Sequence, residues 1–444
     1  MSKKLLTIII GMSVLSLLVG VGILVLNKGG NSSQGTTNED GGGLTFRDFF
    51  TIGGRNEETP NEEIPTEGEQ TPIEQTPGGE QAIPRLRQIS FEPTTGYGVL
   101  TIEREIVAPE TQIETSSGTT PQSTTSVVQA PKKFEQIASL RYQDKATGHI
   151  YQTFLDRQSP EKISNTTIPK VHHSFFVNKS EGLIDQYLTS TLTVETYHGA
   201  LTKDTEGNYT SLLGTFLPKE ILDLSVSADT TKIFYLSTLE NGVVGTVSSP
   251  KGESKIQVFS SKFSSWISQF PNNKLVTLTT KASARSLGYM YGVDTTVKSF
   301  DKILGGITGL TTLTSPDGKK IIYSATTNGG FSSNIYNKDT KKALALGLTT
   351  LPEKCVWAND SKTAYCAVPQ SIPRGEYPDV WYQGMVLFND SFWKLDTETN
   401  IFELVYDSVT EGRNFDGINL GISTDGKYLL FMNKADNQLW GIGL

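Results

Sequence analysis

The chain is short of the residues on which much small-protein chemistry depends. Its 444 residues include two cysteines and four histidines, too few for a disulfide-dense miniature scaffold or a framework of repeated Cys and His zinc ligands. There is no surplus of positive charge either. Against 39 Lys and Arg stand 47 Asp and Glu, a formal net charge of −8, so nothing is present to neutralise a phosphate backbone and nucleic acid is not expected as a partner. The signatures of common enzyme classes are absent: no GxSxG elbow, HExxH helix, complete Walker loop or dinucleotide-binding glycine pattern occurs. No catalytic residue, metal or cofactor is therefore expected. Paired carboxylates for glycan cleavage meet only in space and leave no linear trace.

Long apolar runs are also missing, with one exception. Leu5 to Leu26 contains no charged residue, follows Lys3 and Lys4 and precedes Lys28. Its 22 positions match the roughly 20 that cross a bilayer as a helix, and the flanking lysines favour a cytoplasmic amino terminus with the bulk of the chain outside. The expectation is a transmembrane anchor over residues 1–28. Its rival is a cleavable signal peptide, whose apolar region is usually shorter. From Asn27 to Pro84 the chain is rich in Gly, Glu, Thr, Pro and Gln, with eleven acidic residues against three basic. Such a composition buries too little apolar surface to offset its ordering entropy, so 29–84 is expected to be a disordered linker. Leu44 to Ile52 (LTFRDFFTI) is its one apolar island.

Residues 85–444 carry an internal repeat. A turn flanked by strand-like runs recurs as SADTTKIFYLS, FPNNKLVTLTT, SPDGKKIIYSA, ANDSKTAYCAV and STDGKYLLFMN, and Asp229, Asn272, Asp317, Asp360 and Asp425 are spaced by 43, 45, 43 and 65 residues. The residue types suit a tight hairpin: Asp or Asn bonds its own backbone, Gly accepts positive φ, and the Ile, Leu, Val and Tyr that follow favour a strand. A second element keeps phase as MYGVDT, IYNKDT and FWKLDT. Short strands repeating at about 43 residues, with no helical stripe competing, predict an all-β propeller of four-stranded blades. The SPDGKKIIYSA turn followed about nineteen residues on by IYNKDT resembles the WD-repeat-like propellers of the TolB type. That resemblance implies blades around an axis and, by analogy alone, work in a cell envelope.

Five such turns, one unit at 171–188 and one at 141–156 make seven blades, with six or eight as neighbouring counts. The chain stops after what should be the third strand of its last blade, so Leu86 to Phe91 (LRQISF) is expected to supply the fourth and close the ring. Glu110 to Gln129 is Ser/Thr-rich, and a flexible loop at 109–130 is expected inside the first blade.

Two features suggest sites. Cys355 and Cys366 flank one hairpin symmetrically; outside the cytoplasm they are expected to form a disulfide, with two buried thiols as the alternative. The 65-residue interval holds about fourteen extra residues within Pro369 to Asp390 (PQSIPRGEYPDVWYQGMVLFND). Aromatic residues and Arg are enriched at binding hot spots, and long loops on rigid scaffolds carry function, so Arg374, Tyr377, Asp379, Trp381 and Tyr382 are the candidate binding residues. The alternative is a loop that folds over its blade and hides those aromatics as a small core. The expected function is a membrane-tethered extracytoplasmic propeller that binds or scaffolds protein or glycan partners; the alternatives are a glycan-acting enzyme and a purely structural envelope protein. The four histidines fall between His149 and His198, but adjacent His172 and His173 would point to opposite sides of a strand.

Overall fold

The computed structural model describes residues 85–106, 133–156 and 160–444. The expected anchor at 1–28, the linker at 29–84 and the loop at 109–130 lie outside them. Among the described residues no helix is long and apolar enough to cross a membrane.

The described strands form seven four-stranded sheets, each a meander of antiparallel neighbours. Blades 1 to 6 span 94–162, 171–216, 221–261, 266–308, 311–345 and 355–406, and blade 7 spans 417–443 with Leu86–Gln88 added. First strands of successive blades pack on one another around the axis, while a fourth strand such as Lys342–Ala345 is exposed throughout. Apolar clusters fill the spaces between blades: Phe234, Trp266 and Leu278 join blades 3 and 4, and Phe392, Phe431 and Trp440 join blades 6 and 7. Burial of each such side chain stabilises the ring by about 1.5 to 3 kcal/mol.

The repeated turns explain their own sequence. In blades 3, 5 and 7 the hydroxyls of Ser227, Ser315 and Ser423 donate to Asp229, Asp317 and Asp425, each at 2.6 Å. The next residue takes positive φ: Gly318 and Gly426 in two copies, Thr230 and Ser361 in two others. The Asp of the motif thus anchors the turn, and Gly is the unstrained choice at a position that Thr230 and Ser361 also occupy.

Closure occurs as the chain ends suggested, over a shorter strand. Leu86–Gln88 pairs antiparallel with Leu439–Gly443, with Leu86 opposite Ile442 and Gln88 opposite Trp440. Arg87 between them is buried; its Nη1 donates to the Leu155 carbonyl at 2.7 Å and its Nη2 to that of Phe154 at 2.9 Å. Desolvation lowers the pKa of this guanidinium from its ordinary value. In blade 6, Cys355 lies directly opposite Cys366, and the two are disulfide-bonded with a Cα–Cα distance of 4.1 Å.

Blades 1 and 2 are joined by a buried polar chain. The Asp185 carboxylate meets the Ser174 hydroxyl at 2.7 Å and the Gln143 amide at 3.0 Å, and Thr95 contacts Ser174 at 2.7 Å and Gln143 Oε1 at 3.0 Å. Ser174 has one hydrogen to give yet also faces Gln143 Oε1. Ser174 donates to Asp185, and a proton on Asp185 would reverse that bond and release the Ser174 hydrogen to Gln143. Burial drives this, pushing the Asp185 carboxyl up to about 7 against partial offsets from Gln143 and Ser174. Because the folded value exceeds the unfolded one of roughly 4, this contribution to stability is full below pH 4 and lost as pH rises through about 7. Asp185→Asn is expected to flatten that dependence: urea midpoints at pH 5 and pH 8 should differ less in the variant than in the parent. Equal slopes in both would refute the assignment.

Candidate functional site

The insertion in blade 6 leaves its second strand, Thr363–Pro369, and returns to its third, Asp390–Asp396. Residues 370–389 form a strap containing one short helical turn, Asp379–Tyr382. Because strands alternate in direction, the strap lies at the end of the ring where each fourth strand passes to the next blade, opposite the Ser/Asp turns.

The strap reaches well beyond its own blade. Toward blade 5, the Thr326 hydroxyl donates to the Tyr377 carbonyl at 2.6 Å and the Gly375 N–H to the Gly329 carbonyl at 3.1 Å. Toward blade 4, the Ala284 N–H donates to Asp379 Oδ2 at 2.6 Å, and Arg285 forks onto Glu376, its Nη2 at 2.9 Å from Oε1. Toward blade 7, Lys434 donates to the Trp381 carbonyl, with its Nζ 4.3 Å from the centre of the Trp381 ring. Beneath it, Tyr377, Trp381 and Phe388 pack with Phe331 and Leu351 as one buried cluster.

A buried ionic group fastens this cluster to the ring. Lys354 is fully buried, and its Nζ lies 2.7 Å from Asp390 Oδ2 and within hydrogen-bonding distance of Asp416 Oδ1. It also donates to the Gly417 carbonyl at 3.1 Å and sits 5.3 Å and 5.4 Å from the ring centres of Trp381 and Phe388. The other oxygen of Asp416 accepts from Trp381 Nε1 at 2.9 Å and from the Phe388 N–H at 3.2 Å. Asp390 Oδ2 accepts from the Gly417 N–H at 2.6 Å, while its Oδ1 is buried without a partner. Burial outweighs Lys354 and pushes the Asp390 carboxyl up to about 6, and it lowers Lys434 from the ordinary lysine value.

The five candidate residues therefore divide. Tyr377 and Trp381 are 0% and 4% exposed and have no face to offer a partner; on these two the expectation of direct contact is corrected, since apolar burial and Asp416 hold them inside. Asp379 is spent on a backbone amide. Tyr382 turns its hydroxyl inward to Glu353 and leaves its ring half exposed, and Arg374 is exposed. Next to Tyr382, Met385 and Leu387 are exposed large apolar side chains that sequence reasoning passed over. The ionic group was missed as well. Its signal was a charge set among apolar residues at strand ends, in LPEKCVW, LFNDSF and RNFDGI.

The axial channel offers a different environment. A cavity of about 500 Å³ is lined by first strands of blades 1, 2, 3 and 7, including Tyr97, His173, Phe175, Leu420 and Ile422, and no carboxylate lines it among the described residues. The His173 and Phe175 rings lie tilted against each other with centroids 4.1 Å apart, and burial pushes the His173 pKa down to about 4. His149 contacts Thr167 and His198 is buried in blade 2, so the histidines do not converge. Among the described residues no three His, Cys, Asp or Glu are grouped to hold a metal ion.

These features define the class: a seven-bladed β-propeller sealed by its amino-terminal strand and carrying a latched strap on one end, in keeping with the TolB-like character of its repeated turns. No protein-family model matches the chain, and no curated protein matches it. Solved structures similar to it include TolB from Acinetobacter baumannii, at 12% identity and TM-score 0.39, covering 58% of this chain and 59% of that one. The chain thus spans about 59% of that TolB structure. The β-propeller domain of the Trilobed protease from Pyrococcus furiosus is similar at 11% identity and TM-score 0.44, covering 69% of this chain and 91% of that one. An oligogalacturonate lyase in complex with manganese is similar at 11% identity and TM-score 0.43, covering 69% and 86%.

Proposed function

We propose that the protein is a binding propeller that engages a protein partner through its strap-bearing end, and that Leu5 to Leu26 tethers it to a membrane with the ring outside the cytoplasm. One observation carries the binding reading: exposed large apolar side chains gather at that end. Thirteen of those described lie at strand ends or loops on the strap side, among them Leu192, Leu239, Phe263, Leu287, Met385 and Leu387, against six on the turn side. Large exposed apolar surfaces mark interaction sites, and aromatic, Met and Arg side chains are favoured in them. The loops at this end mix Lys and Arg with Asp and Glu, which suits a protein surface better than an anionic lipid sheet. The cavity along the first strands of blades 1, 2, 3 and 7 has no carboxylate among its lining residues, which favours binding over glycan cleavage there.

The test is cross-linking of the full-length chain in its native membranes, comparing the parent with Met385→Ser/Leu387→Ser. Loss of at least about ten-fold in the captured protein corresponds to ~1.4 kcal/mol, the scale of a modest hot spot. An unchanged capture pattern would refute the assignment of this end. A double substitution on the turn side, Val297→Ser/Ile401→Ser, should leave capture unaltered.

A further inference from the structure

Between the strap and the neighbouring blades lies a cleft of about 410 Å³, walled by Ala284, the hairpin 326–329 and residues 374–376. Its walls are fixed by the Gly375–Gly329 and Thr326–Tyr377 hydrogen bonds. Arg374 lines this cleft and Arg285 pairs with its Glu376 from outside, and the two guanidinium groups are not equivalent. Arg285 is neutralised by Glu376. Arg374 has no hydrogen-bond or ion-pair partner among the described residues, so its five donors are free, while the nearby Glu376 and Asp379 carboxylates balance the two guanidinium charges.

The position of Arg374 is built into the backbone. Gly329 adopts φ +82°, and a Cβ there would stand 2.7 Å from Arg374 Cγ and 3.0 Å from its Nε. The side chain of Arg374 therefore runs through the space that glycine leaves, which a side chain at position 329 would close. Exposed Thr327 and Asn328 add a hydroxyl and an amide on the same wall.

We propose that this cleft is a carboxylate-binding subsite, in which the Arg374 fork takes both oxygens of one carboxylate. A planar guanidinium matches a carboxylate in bidentate geometry. With Glu376 and Asp379 beside the two guanidinium groups the local charges balance, so no net attraction offsets the larger desolvation cost of a doubly charged phosphate, and a monoanion is favoured. The carrier of that carboxylate, an acidic side chain or a chain terminus of the protein partner, rests on the reading of the strap end as the binding face; the subsite itself does not.

Phenylglyoxal modification of the purified full-length chain, read residue by residue by mass spectrometry, tests the subsite without the partner. The probe is N-acetylglycine, a monocarboxylate, against its uncharged amide and against inorganic phosphate at equal ionic strength. At ~20 mM, N-acetylglycine is expected to slow modification of Arg374 about five-fold, which corresponds to a Kd of about 5 mM. Exposed Arg85, likewise unpaired, should not be protected. Gly329→Ala should reduce the protection to less than about two-fold by displacing Arg374. Should that variant fail to fold, saturation-transfer NMR of the same probe should show its signal with the parent and lose it with Arg374→Gln. No protection, equal protection by the amide or by phosphate, or equal protection of Arg85 would each overturn the proposal. Loss of capture in the Met385 and Leu387 variant with Arg374 protection retained would separate the two readings.

Discussion

Lys354→Met is expected to destabilise the protein by about 3 to 5 kcal/mol, the range seen when one partner of a buried ion pair is removed. The substitution keeps the volume and the apolar stem but leaves Asp390 and Asp416 buried at 0% and 2% exposure without their common cation. Lys434 is near Asp416, yet its Nζ is committed to the Trp381 carbonyl. The damage should be local first. Asp416 holds Trp381 and Phe388, so the strap should detach before the ring unfolds, and limited proteolysis within 370–389 should accelerate at denaturant concentrations that leave the sheets intact. Lys394→Met serves as the control, because the Lys394–Glu403 pair is solvent-exposed and such pairs contribute about 0 to 1 kcal/mol. A Lys354 variant as stable as the Lys394 variant would show that the cluster does not hold the strap. Adding Asp390→Asn to Lys354→Met should restore part of the loss, since it removes one stranded charge.

The second large effect belongs to the closing strand. Deleting Leu86–Gln88 is expected to abolish a single cooperative melting transition and yield aggregated material on size exclusion. The deletion strips the outer partner from Leu439–Gly443, opening a β edge, and such edges template association. It also removes Arg87, the side-chain link from the closing strand to the carbonyls of Phe154 and Leu155 in blade 1. Arg87→Ala alone should be milder, on the order of 1 to 3 kcal/mol, the cost of leaving the buried Leu155 carbonyl without its Arg87 donor. A soluble, cooperatively melting deletion variant would mean that three strands suffice to complete blade 7.

Much of this architecture was legible because the repeat is enforced by backbone chemistry. Asp229, Asp317 and Asp425 sit where a hairpin must bend, and a turn of fixed geometry draws on the same few residue types in each copy. Counting copies then exposed the missing fourth strand of blade 7 and the surplus in blade 6. What the linear order concealed was orientation within that surplus. Tyr377 and Trp381 look like contact residues in a loop; they are core residues because Phe331 of blade 5 and Leu351 and Asp416 of the connections on either side of blade 6 close over them, and no period links those positions to the strap. The ionic group is of the same kind. Lys354, Asp390 and Asp416 lie outside the repeat phase, and their convergence is a property of neighbouring blades rather than of spacing along the chain.

The closing strand has a consequence for the order of events during synthesis. Residues 86–88 leave the ribosome among the first of the domain, whereas their partners at 439–443 emerge after six blades have been made. The nascent ring must therefore wait with a loose end and an unfinished seventh sheet, and its final step is a long-range docking whose loop-closure entropy is among the largest in the chain.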